Sequence, residues 1–135
     1  WGSKRTGPDL MRVGNYRTTD WHENHMMDPE GVVPGSIMPR YPWLFTNVTD
    51  VDTAWAEAET VRVVFKTPYN KDIPMFDGSM SQVKLSATVE GGREDALAEA
   101  KLVTAGMKNQ EGKDMVAAGQ IPEIVALIAY LNSLK

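Results

Sequence analysis

Pro122, followed by Ile124, Leu127, Ile128, Leu131 and Leu134, is the feature that most narrows the folds open to this chain. Proline is tolerated at the first helical position, where its missing N–H would have no partner anyway. Steps of three and four then place the apolar side chains on one stripe. The spacing predicts a helix running to the C-terminus, with one face that other elements must cover. A chain of 135 residues, 42% of them hydrophobic, can supply that cover within one core without a metal or disulfide staple. We therefore expect a single domain over residues 1–135.

The rest of the chain alternates helical patterns with punctuation. Residues 1–19 are rich in glycine and polar groups, show no sustained period and read as an ordered loop. Asp20-Trp21-His22-Glu23 places an acid three residues before a Glu, the reciprocal capping pattern, and predicts a short helix that stops before Pro29. Pro34, Gly35, Pro39 and Pro42 exclude regular helix or central strand over 32–42, leaving a conformationally restricted loop. Val51, Ala54, Trp55, Ala58, Val61, Val64 and Phe65 predict an amphipathic helix ended by Pro68. Val83, Leu85, Ala87 and Val89 alternate with polar residues, so a short strand or hairpin is expected within 74–90. After Gly91-Gly92, residues 93–110 carry acids first and lysines later, the order that suits a helix dipole. The expected fold class is all-α with long ordered loops. No internal repeat or low-complexity tract is present.

Composition removes several function classes. A net charge of −4 lacks the clustered basic surface that phosphate contacts need, and suits a basic or neutral protein partner instead. Without cysteine the chain forms no disulfide, thiolate metal site or nucleophilic thiol. No apolar run approaches the roughly 18–20 residues that span a bilayer. No Gly-x-Ser-x-Gly, phosphate loop or paired-carboxylate pattern occurs, so no independent catalytic site is expected. A start at Trp1 in a dense run of turn residues reads as an internal start, a fragment of a longer chain.

Val33-Pro34-Gly35-Ser36-Ile37-Met38-Pro39 presents one methionine from a loop stiffened on both sides. Methionines usually fill gaps in a core, and this chain has eight. A thioether also ligates haem iron opposite a histidine in electron-transfer sites. His22 and His25 stand one helical turn apart with Met26 and Met27 beside them, a pair that can in principle share a metal such as copper. Two imidazoles are too few for a closed zinc site, and both read more simply as surface or loop-anchoring residues. Trp1, Trp21, Trp43, Trp55 and Tyr41 suit either core packing or the walls of a flat apolar cofactor.

Taken in order, Gly7-Pro8-Asp9-Leu10, Pro34-Gly35-Ser36-Ile37-Met38 and Leu127-Ile128-Ala129-Tyr130-Leu131 resemble three signatures of class I c-type cytochromes. These are the Gly-Pro-x-Leu loop after the haem-binding motif, the Pro-Gly-x-x-Met axial-ligand loop and the Leu-Ile-x-Tyr-Leu C-terminal helix. The stretch from Trp1 to Gly14, with Trp21-His22, His25, Asp28-Pro29, Met38-Pro39 and Tyr41-Pro42-Trp43-Leu44, resembles subunit II of cbb3-type cytochrome c oxidase, the monohaem one. The likeness is close over 1–44 and at the C-terminal end, and looser between 46 and 120. There Thr67-Pro68-Tyr69 is an anchor and 74–90 looks like an insertion.

The resemblance implies a cytochrome c-like domain in which Met38 is the distal iron ligand and Pro8 lies against the haem near the proximal histidine. That histidine and two thioether cysteines belong, in the family, to a Cys-x-x-Cys-His motif upstream of the position matching Trp1. Haem c is thus expected in the complete subunit and not on these cysteine-free residues. The N-terminal haem-attachment helix would be missing too, leaving the 124–134 stripe without its usual partner. The implied function is electron relay to the oxygen-reducing haem–copper subunit, on the periplasmic side of a bacterial inner membrane. The implied partners are that catalytic subunit and a dihaem cytochrome subunit, with an N-terminal membrane anchor outside this sequence. Uncovered helix faces offer a route to self-association. The alternative is a haem-free interaction or assembly module derived from a cytochrome c fold, with Met38 serving only in packing.

Overall fold

The structure, a computed structural model, describes residues 7–74 and 78–135. The part of the resemblance carried by Trp1 to Thr6 lies outside the described residues. Helices dominate, as expected: α1 (Val13–Tyr16), α2 (Thr19–Met27), α3 (Pro29–Val32), a 3-10 turn (Pro42–Phe45), α4 (Val51–Phe65), α5 (Val89–Ala105), α6 (Gln110–Ala117) and α7 (Glu123–Ser133). The antiparallel strands β1 (Asp72–Pro74) and β2 (Met80–Gln82) pair with Ile73 opposite Ser81. Two compact units emerge, one made of Trp1–Thr49 with Leu97–Lys135 and the other of Asp50–Ala96.

The first unit is built on α7. Ile124, Val125, Ile128 and Leu131 are buried, and the helix packs against α1, α2 and the 3-10 turn. These elements cover the stripe, and the buried set is shifted relative to the spacing. Val125 joins the core, while Leu127 and Leu134 are only half-buried and Tyr130 is exposed. Pro122 is the residue before the helix, extended at φ −60° and ψ 147°, rather than its first turn. Both ends of α7 are tied down. Asn47 and Thr49 bracket its start through Glu123 N–H to Asn47 O at 2.9 Å and Thr49 N–H to Ile121 O at 2.7 Å. Gly14 N–H donates to Leu134 O at 2.8 Å near its end. A Cβ on Gly14 would stand 2.4 Å from the Asn132 carbonyl oxygen, so only glycine allows this approach.

Three further boundaries differ from the sequence expectation, each for a local reason. The cap of α2 is Thr18, whose Oγ1 accepts the Trp21 N–H at 3.2 Å, and not Asp20; Glu23 turns inward instead of closing a capping box. Helix α5 starts at Val89 and runs through Gly91-Gly92, with Thr88 Oγ1 accepting the Gly91 N–H at 3.1 Å. The glycine at 92 serves close packing, since a Cβ there would lie 2.8 Å from Trp55 Cδ1. The same helix ends at Ala105 instead of residue 110, because Asn109 opens α6 by accepting the Gly112 N–H at 2.7 Å.

The second unit holds α4, the hairpin and the start of α5. Asp50 caps α4 by accepting the Thr53 N–H at 3.1 Å, and Lys66 ends it in a left-handed conformation at φ 53°. Of the predicted stripe, Val51, Trp55 and Ala58 are half-buried, while Ala54, Val61, Val64 and Phe65 are exposed. The alternation at 83–89 does not make a strand. The Asn70 side chain satisfies both the Leu85 N–H, at 3.0 Å, and the Leu85 carbonyl, at 2.9 Å, and the Asn70 N–H reaches Val83 O at 2.8 Å. With these groups met, no ladder is needed there. The insertion expected at 74–90 thus falls inside a larger unit of residues 50–96.

Candidate functional site

Met38 stands on a loop that leaves the end of α3 and returns to the end of α2. Val33 O accepts the Ser36 N–H at 3.1 Å, with Pro34 in the second place and Gly35 in the third at φ +78°, the arrangement of a type II turn. Ser36 Oγ then accepts the Met38 N–H at 3.3 Å. On the far side, Arg40 pairs with Asp28 at 2.9 Å and Tyr41 N–H donates to Met26 O at 3.0 Å, returning the chain to the α2–α3 junction. Tyr41 packs edge-on against Trp43 with ring centroids 5.3 Å apart. The result is a half-buried thioether on a loop fixed at both flanks, beside exposed Ile37 and Val33.

Pro8 is exposed in the segment leading to α1. Asp9 Oδ1 accepts the Met11 N–H at 2.9 Å and Leu10 O accepts the Val13 N–H at 3.1 Å. This segment is held at the C-terminal end of α7 through Gly14, and the Met38 loop at the C-terminal end of α2 through Tyr41. Helices α2 and α7 pack together, so both segments hang on one scaffold.

The histidines are less exposed than the sequence suggests. His22 is 2% exposed and its Nε2 has no hydrogen-bond partner. Burial, then the nearby positive potential of His25 and Arg17, holds its pKa below the ordinary histidine value. His25 lies flat on Trp21 at 4.5 Å, and the Arg17 guanidinium sits 4.3 Å from the same ring. Burial and then Arg17 lower the His25 pKa as well. Among the described residues no group of three or more His, Cys, Asp or Glu side chains is placed to hold a metal ion. Trp55 belongs to the other unit, where its Nε1 donates to Ser86 O at 2.9 Å, and Trp21 is engaged by Arg17 and His25. Tyr41 and Trp43 adjoin the Met38 loop, and Trp1 lies outside the described residues.

The donor set decides how a haem would fit. A soft thioether on a fixed loop, flanked by apolar side chains, suits the distal side of an iron porphyrin. Thioether attachment needs cysteines, which these 135 residues do not contain. The residues present therefore fit the distal half of such a site.

Two structural residues escaped the sequence reading. Glu23 accepts the backbone N–H groups of Lys108 and Asn109, which no local pattern announces. Gly14 marks a helix contact, and its only signal was a glycine inside a loop-like stretch. A family model described as "Cytochrome C oxidase, mono-heme subunit/FixO" matches residues 1–135. No curated protein matches the chain. With the match running from Trp1 to Lys135, the chain belongs to the FixO family of mono-haem cytochrome c oxidase subunits, whose general work is electron transfer.

Proposed function

We propose that this subunit relays single electrons through a haem c to the oxygen-reducing haem–copper subunit of a cbb3-type oxidase, with Met38 as the distal iron ligand. The observation that carries the reading is the Met38 loop, turned just after α3 by the Ser36–Val33 hydrogen bond and tied back to the end of α2 by the Tyr41–Met26 hydrogen bond. Haem supplies a one-electron iron couple, and a His/Met ligand pair raises its potential. What the chain contributes is placement. A loop that keeps one geometry in both oxidation states holds the sulfur at a fixed approach, and Pro8 lies against the haem near the proximal ligand. The proximal histidine and the cysteines come from a Cys-x-x-Cys-His motif outside these 135 residues. In this reading residues 1–135 form one cytochrome c-like domain on the periplasmic side of a bacterial inner membrane, touching the catalytic and dihaem subunits. No helix among the described residues is long and apolar enough to cross a membrane, and the reading assigns membrane attachment to an N-terminal anchor of the complete subunit.

The absence of cysteine favours a second reading, a haem-free docking module in which Met38 only packs. Visible spectra of the protein expressed from its full gene, oxidised and reduced, beside Met38→Ala, separate the two. A low-spin c-type spectrum whose sulfur-to-iron charge-transfer band vanishes in the variant is the expected result. A colourless protein leaves the docking module. A coloured one indifferent to Met38 removes the ligand assignment.

A further inference from the structure

His22 sits inside the first unit with a polar atom that its surroundings do not serve. Among the described residues its buried Nε2 has no hydrogen-bond partner. Such atoms are normally paired, because an unmet donor or acceptor has given up water and gained nothing in exchange. A neutral imidazole can be kept there. An imidazolium carries a full charge and donates from both nitrogens, and it is stable in an interior only beside an acid or water.

The neighbouring charges do not supply that acid. Helices α3 and α7 pack on α2. Their titratable groups are Glu30 on α3 and Glu123 and Tyr130 on α7, while Asp28, between α2 and α3, pairs with Arg40 of the Met38 loop. On α2 itself, Glu23 is engaged by the Lys108 and Asn109 N–H groups and Asp20 by the Lys108 ammonium. The charges felt at His22 are those of His25 and Arg17, both positive. A proton on His22 therefore meets burial and repulsion together, and the side chain relieves both by moving out to water. That movement bears on Met38. Met26, one turn after His22 on α2, accepts the Tyr41 N–H that fastens the far flank of the Met38 loop.

We propose that His22 is a proton-operated latch on the Met38 loop: neutral, it keeps α2 seated and the thioether in place, and on taking a proton from water it swings out, loosens the Tyr41–Met26 tie and displaces Met38. The switch is thus a single charge change acting on one element with two arrangements, while the rest of the chain stays folded. It holds above about pH 6.5 and opens as pH falls below that value. The inference concerns where Met38 sits, with or without iron; only the loss of a distal ligand in acid rests on the electron-relay reading.

The test follows three NMR signals from about pH 7.5 to about pH 5 in the protein expressed from its full gene: the carbon-13 methyl of Met38, the imidazole of His22 and the indole N–H of Trp55, which the second unit holds on Ser86 O. Met38 and His22 should move with one midpoint while Trp55 stays still. His25→Gln and Arg17→Gln, each removing positive charge near His22, should raise that midpoint toward about 6.5. His22→Gln, which takes up no proton, should leave Met38 unmoved throughout. A Met38 signal that stays still while His22 titrates, that moves with a different midpoint, or that still moves in His22→Gln overturns the proposal. So does a Trp55 signal that moves with the others, which means general unfolding, or a midpoint that rises in neither charge variant. If His22→Gln does not fold, the wild-type coincidence and the direction of the two charge variants decide. A colourless protein that shows the coupled titration removes the electron relay and keeps the latch, and a low-spin haem spectrum without the coupling does the reverse.

Discussion

Glu23 and Asn109 stand 86 positions apart in sequence and are joined by a 2.6 Å hydrogen bond from the Asn109 N–H to Glu23 Oε1. The other carboxylate oxygen accepts the Lys108 N–H at 2.8 Å. A buried side chain of α2 thus fixes the turn between α5 and α6, using a charged acceptor that holds backbone donors more strongly than a neutral one. Leaving a buried donor empty costs about 1–3 kcal/mol. Glu23→Ala, which empties both, should lose about 2–4 kcal/mol, and Glu23→Gln, which offers only one accepting oxygen, about 1–2 kcal/mol. Urea denaturation midpoints at unchanged slope check this order. Equal losses in the two variants would mean that side-chain packing, not the paired acceptor, holds the turn.

Gly14 and Gly7 make a matched pair. A methyl at Gly14 meets the Asn132 and Leu134 carbonyl oxygens at 2.4 and 2.9 Å, and backbone at both distances cannot step aside cheaply. A methyl at Gly7 meets nothing within 4 Å. Gly14→Ala should therefore cost about 1–3 kcal/mol, as overpacking does, and Gly7→Ala should stay within about 0.5 kcal/mol. Thermal melts separate the two, since roughly 3–6 °C accompanies each kcal/mol in a protein of this size. A Gly14→Ala protein that melts with the wild type would show that α1 is not pressed onto α7.

Acid should loosen the first unit through its two histidines. His22 and His25 are held below the ordinary histidine pKa, so between that lowered value and about 6.5 the unfolded chain binds more protons than the folded one. Stability is fully present above about pH 6.5 and is lost as pH falls through this window. Asp50, Asp52 and Glu59 are also held low, by hydrogen bonds first, and their contribution is lost only further down, in the carboxylate range. Denaturation midpoints taken at about pH 7.5 and about pH 5 should differ in the wild type. Most of the difference should disappear in His22→Gln and less of it in His25→Gln. A wild-type midpoint that does not move between the two pH values would contradict the assignment.

How much of this was legible beforehand depends on the range of the forces involved. The α7 stripe, the α4 period and the Pro34-Gly35 turn were readable because each is set by neighbours within a few residues. Gly91-Gly92 looked like a break but lies within α5, because the demand for glycine at 92 comes from Trp55, far away in sequence. Strand-like alternation at 83–89 was overruled by one side chain, that of Asn70. At the candidate site, the turn that presents Met38 was legible, but its fastening through Tyr41 to Met26 was not, since a backbone-to-backbone bond leaves no residue signature. Glu23 could have been noticed only as an acid on the inward side of α2, and its partners are backbone groups that any residue carries.

Gly35 offers the sharpest test of why Met38 sits where it does. At φ +78° a side chain other than that of glycine is strained, by about 1–2 kcal/mol for most residues, and asparagine is among the few that tolerate the region. The loop has two ways to respond to Gly35→Ala. It can keep the turn and bear the strain, or it can abandon the Ser36–Val33 hydrogen bond and carry Met38 with it. Because Tyr41 and Arg40 hold only the far flank, relaxation falls on the segment between Val33 and Met38. We expect the carbon-13 methyl NMR signal of Met38 to move in Gly35→Ala, to move less in Ser36→Ala, which removes only the Oγ acceptor of the Met38 N–H, and to return toward the wild-type position in Gly35→Asn. An unmoved methyl in Gly35→Ala, accompanied by lower stability, would mean that the strain is borne in place and that the far flank alone positions the thioether.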